Sequence, residues 1–113
     1  MTIHTHEDVI DENPDLVRRF VKATVRSWEA AKEDPDAAVD AALKAKPDLN
    51  RESTLKQLEV DLGLLSSEST EGKGIGYGAE EDWEHTKQLL VEYRELETDR
   101  PAASLYSNEF LPE

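Results

Sequence analysis

Asn13-Pro14-Asp15-Leu16-Val17-Arg18-Arg19-Phe20-Val21-Lys22-Ala23-Thr24-Val25-Arg26-Ser27-Trp28 decides how the chain is read. Asn13 has the side chain of an N-cap. A proline next to it has the φ of a first helical turn and no N–H to satisfy, and Asp15 sets a carboxylate against the positive end of the helix. Leu16, Val17, Phe20, Val21, Thr24, Trp28 and Ala31 then recur at spacings of three and four. The pattern predicts a helix from about Pro14 to Lys32. Asp34-Pro35-Asp36 repeats the start signal, and the alanine-rich run 37–45 follows with Val39, Ala42 and Leu43 as its apolar side. Pro47 stops it, because proline disfavours helix in the residue before it.

Working outward, Asn50 is the next N-cap, and Leu55, Leu58, Leu62 and Leu65 mark a third helix ending near residues 63–65. Residues 66–78 form a polar, glycine-rich loop with no hydrophobic period. A fourth helix is expected from about Ala79 to Leu96, with Trp83, Thr86, Leu90 and Tyr93 on one face. Residues 104–113 carry Leu105, Tyr106, Phe110 and Leu111, which need burial, so the tail is expected to dock. Thr2-Ile3-His4-Thr5-His6 alternates like a strand, although a lone strand has no ladder partner. The expected fold is mainly α: about four helices, a docked C-terminal tail and a short N-terminal strand, in a single helical domain over 1–113. Trp28, Trp83, Phe20, Tyr93, Tyr106 and Phe110 are the expected aromatic core.

Composition bounds the function. Twenty-six acidic residues against 13 basic ones give a net charge of −13 over 113 residues. That field repels nucleic-acid phosphates and anionic lipid, so neither is an expected partner. No apolar run is long enough to span a bilayer, and no secretory leader is visible. The chain has no cysteine, which excludes disulfides, thiol catalysis and cysteine-type zinc sites. Leu, Ile, Val and Phe make up about a fifth of the residues, near the border below which highly charged chains stay disordered. The core must be thin. The acidity reads either as an ordinary soluble surface or as adaptation to molar salt, where screening removes the self-repulsion.

Four features are weighed as sites. His4 and His6 with Glu7 and Asp8 resemble a metal clip, but a third ligand at suitable spacing is lacking, so an exposed terminus is the preferred reading. Gly74 to Ala79 matches G-x-G-x-x-A, yet no strand precedes it, and Glu80, Glu81 and Asp82 would repel a pyrophosphate. A flexible loop is preferred to a nucleotide site. Arg18, Arg19, Lys22 and Arg26 form a basic stripe on the first helix, open to an anion or an acidic partner but read first as a solvated face. Nothing in the carboxylates indicates a buried acid/base pair, so no catalytic residue, metal or cofactor is assigned.

Several strings together resemble the NMT1/THI5-like substrate-binding proteins, type II periplasmic-binding-like components of ABC importers. The first is Glu7-Asp8-Val9-Ile10-Asp11-Glu12-Asn13-Pro14-Asp15-Leu16-Val17-Arg18-Arg19-Phe20-Val21-Lys22-Ala23-Thr24, with Trp28 and Asp34-Pro35 after it. Gly74-Ile75-Gly76-Tyr77 leading to Trp83 is similar to a later helix start of the family, and Ser107-Asn108-Glu109-Phe110-Leu111-Pro112 to its terminal T-N-E-F-L-P.

The resemblance implies the C-terminal part of a two-lobed α/β fold that closes on a small solute. The N-terminal lobe and most of the cleft have no counterpart here. It implies import of a thiamine-related pyrimidine or similar solute; other relatives take alkanesulfonates or nitrate. A fungal branch builds the thiamine pyrimidine from PLP, but its cysteine-rich motif is absent. By resemblance the location is extracytoplasmic within a longer exported protein, and otherwise cytoplasmic. The alternative is a stand-alone acidic helical module that self-associates or binds a protein partner. In either case an uncovered apolar face is expected, with Phe20, Trp28, Leu55, Leu58, Tyr106 and Phe110 as the candidate interface.

Overall fold

A computed structural model describes residues 2–113. Among the described residues there are five α-helices and no strand: α1 (Glu7–Glu12), α2 (Pro14–Glu33), α3 (Pro35–Ala45), α4 (Arg51–Gly63) and α5 (Glu80–Arg94). Short 3₁₀ turns lie at Glu68–Thr70 and Ala102–Ser104. The mainly α expectation holds, and four of the helices lie within a few residues of where the start and stop signals place them.

The capping chemistry is uneven. Asp34 accepts the amide of Ala37 at 2.9 Å, and Asn50 accepts that of Ser53 at 3.0 Å. Asn13 makes no side-chain cap bond; its carbonyl starts α2 by accepting from Leu16 at 3.0 Å. Its own amide is bonded to Val9 O at 3.0 Å, because Asn13 also ends α1. That extra helix is the first correction. The second is the N-terminal strand: residues 2–6 find no partner strand, and His6 caps α1 by accepting the Asp8 amide on Nδ1 at 3.3 Å.

α1 packs on α2, α2 on α3, and α3 on α4, whereas α5 packs chiefly on the Ala102–Ser104 turn. Arg51 ties α3 to α4. Its Nη2 reaches Asp36 Oδ1 at 2.7 Å and Asp40 Oδ1 at 3.2 Å. These two hydrogen bonds raise the guanidinium further above its ordinary pKa. The hydrophobic core is Val25, Ala31, Val39, Ala102 and Phe110, with Val39 only 1% exposed. This is a small core, as the composition requires. The Cα radius of gyration is 16.4 Å, against about 13 Å for a compact domain of roughly this length.

Of the six aromatic residues expected in the core only Phe110 is buried: Trp28, Trp83 and Tyr106 are half-buried, Phe20 is 60% exposed and Tyr93 69% exposed. Phe20 lies on an exposed face of α2, and the C-terminal half of α5 is exposed from residue 88 onward.

Candidate functional site

The glycine-rich loop and the tail meet at one place. Gly78 N donates to Asn108 Oδ1 at 2.8 Å, and Asn108 Nδ2 donates to Gly78 O at 2.9 Å. One side-chain amide thereby satisfies both backbone groups of one residue, which a free loop would leave to water. Beside this pair Tyr106 stacks on Trp83, with ring centroids 5.3 Å apart and planes 4° from parallel. That offset-stacked arrangement is favourable beyond area burial. Gly78 has to be glycine for a spatial reason. A Cβ there would lie 2.9 Å from Trp83 Nε1 and from Tyr106 Cδ2. Gly76 has φ +89°, a conformation other residues rarely adopt.

The clasp extends in both directions. Ser67 Oγ donates to Asp82 Oδ2 at 2.6 Å and Ser69 Oγ to Glu81 Oε2 at 3.4 Å, so first-turn acids of α5 hold the preceding loop. Phe110 is buried beneath the Arg18 guanidinium, 5.4 Å from its ring centroid, which fixes the tail to α2. The loop expected to be flexible is therefore bonded at both ends. Sequence reasoning missed this because the partners of Gly78 and Trp83 lie far along the chain. The paired Asn108 and Tyr106, after the last helix, were the available signal.

Around the clasp the surface is open. Of the six candidate interface residues, Phe110 is buried, Trp28, Leu55, Leu58 and Tyr106 are half-buried, and Phe20 is exposed. Phe20 and Trp28 belong to α2, Leu55 and Leu58 to α4, and the other two to the clasp. The larger apolar surface was not singled out from sequence. It is the last two turns of α5 and the residues after them, where Leu89, Leu90, Val91, Tyr93 and Leu96 are all between 39% and 69% exposed.

Two shallow concavities complete the surface. One, of about 600 Å³, lies between the end of α2 and the loop, lined by Glu29, Lys32, Glu33, Lys73, Gly74 and Ile75. The other, of about 470 Å³, lies along Asp15, Arg18, Arg19 and Lys22. Neither shields a ligand on several sides. Arg18 pairs with Asp15 at 3.3 Å. The described residues contain no cluster of three His, Asp or Glu able to hold a metal. No described helix is long and apolar enough to cross a membrane.

Two comparisons with known proteins bear on this arrangement. Residues 1–38 match a family model described as NMT1/THI5 like. Over 113 residues the chain is 31% identical to the riboflavin-binding protein RibY of Chloroflexus aurantiacus, an alignment that takes in 97% of this chain and 32% of that protein. The chain thus spans about a third of the length of the curated relative it matches.

Proposed function

We propose, from the family match over residues 1–38 and the likeness to the riboflavin-binding relative, that the chain is a member of the NMT1/THI5-like family of substrate-binding proteins and forms the helical part of one lobe of an importer's solute-binding component. The observation that carries the reading is the clasp. The loop string Gly74-Ile75-Gly76-Tyr77-Gly78 and the tail string Tyr106-Ser107-Asn108 are bonded to one another across thirty residues, and the similarity to the riboflavin-binding relative runs through both. In this role the chain is a binding protein and not an enzyme, and it works outside the cytoplasm.

The solute is a small heteroaromatic compound. The relative's name favours a flavin, and the family resemblance a thiamine-related pyrimidine. Solute pockets enclose most of their ligand, and the open concavities here supply one wall at most. The remaining walls come from the rest of a two-lobed fold, which also covers the bare end of α5. The exposed apolar surface equally supports the second reading, a helical module completed by a protein partner.

A graft tests the first reading. The aligned third of the riboflavin-binding relative is replaced by this chain, and riboflavin and hydroxymethylpyrimidine are titrated by calorimetry. The expected result is a folded chimera that binds one of them, while the isolated chain binds neither. A chimera that does not fold, or folds and binds neither, overturns the proposal.

A further inference from the structure

α2 carries two stripes. Val17, Val21, Val25 and Trp28 turn inward and are half-buried or buried. Leu16, Phe20, Ala23, Ser27 and Ala30 follow spacings of four, three, four and three, and all remain exposed. Such spacing places them on one outer face. Arg19, Lys22 and Arg26 lie along α2 beside this stripe, and among the described residues none of the three makes an ion pair. They are the main cation cluster of a chain whose net charge is −13.

α5 offers the complement. Leu89 and Tyr93 are exposed on α5 with Glu92 beside them, and exposed Leu96 follows the helix's C-cap Glu95; the helix opens with Glu80, Glu81 and Asp82. We propose that in the 113-residue chain by itself the outer stripe of α2 is covered by α5 of a second copy, with Arg19, Lys22 and Arg26 against that helix's carboxylates. Pairing α2 with α2 is disfavoured, because antiparallel association through one stripe brings the two cation edges together. Each chain carries both halves of the α2–α5 contact, so two copies can make it twice and close as a twofold dimer. The contact does not depend on which solute the family assignment selects.

Charge exchange tests the pairing by sedimentation velocity across the micromolar range. The wild type should dimerise. An Arg19→Glu/Lys22→Glu chain and a Glu92→Lys/Glu95→Lys chain should each dissociate at least about tenfold more readily. An equimolar mixture of the two should recover a one-to-one dimer. Far-UV circular dichroism confirms that each variant is folded. Should either charge variant lose its helicity, Phe20→Asp serves in its place, since an exposed side chain can be changed without touching the core, and it should be monomeric. A wild type that stays monomeric to hundreds of micromolar, a charge variant or Phe20→Asp that associates like wild type, or a mixture that does not pair overturns the proposal.

Discussion

A side-chain amide that donates to and accepts from one backbone residue, as Asn108 does at Gly78, cannot be replaced by a group offering only one of the two functions. Asn108→Ala leaves a half-buried N–H and C=O unpaired and should cost about 1–3 kcal/mol. Gly78→Ala keeps the amide pair but drives a methyl into the Trp83–Tyr106 stack, and should cost a similar 1–3 kcal/mol through overpacking. Urea unfolding measures both losses, and near-UV circular dichroism separates them, since only the glycine variant should abolish the aromatic signal before unfolding begins. A loss below about 0.5 kcal/mol in either variant would show that the tail is not fixed by this clasp. At this scale the sequence was only half legible. Gly78 and Asn108 could each be read as unusual, but nothing local shows that the one bonds the other.

For the helices, legibility followed the range of the forces involved. Asp34-Pro35-Asp36 and Asn50 mark their helix starts by contacts three residues long, and both side chains cap as expected. The stripes were harder, because periodicity says which residues share a face and not whether anything lies on it. Trp83, Thr86, Leu90 and Tyr93 keep helical spacing, yet Leu90 is 41% and Tyr93 69% exposed. In the monomer, at concentrations too low for two copies to associate, that end of α5 is bare, so Leu90→Glu and Tyr93→Glu should each change unfolding free energy by less than about 0.5 kcal/mol, and both should reduce binding of an apolar dye. A loss above about 2 kcal/mol in either would mean that the face is already enclosed.

Over the whole molecule, net charge and core size pull against each other. Five buried apolar residues hold a chain of net charge −13, and the ion pairs that offset it are largely at the surface, where each contributes little. Screening should therefore help more than pairing does. Moving from dilute buffer to molar KCl should raise the thermal midpoint by about 4 °C, equivalent to roughly 1 kcal/mol at this length, as followed by far-UV circular dichroism. An unchanged midpoint would assign the acidity to ordinary solubility. Composition alone announced this tension; the structure adds that it is distributed unevenly, with α1 to α4 packed in sequence and α5 held chiefly through its first turns and the tail.

The link between Gly78 and Asn108 also has a place in time. A ribosome adds about 5–20 residues per second, so the asparagine follows the glycine by roughly 2–6 s. During that interval α5 can coil, but its tryptophan has no ring to stack on and its preceding loop has no anchor. A stop introduced after Leu96 would leave α5 without that anchor permanently, open to proteases and aggregation.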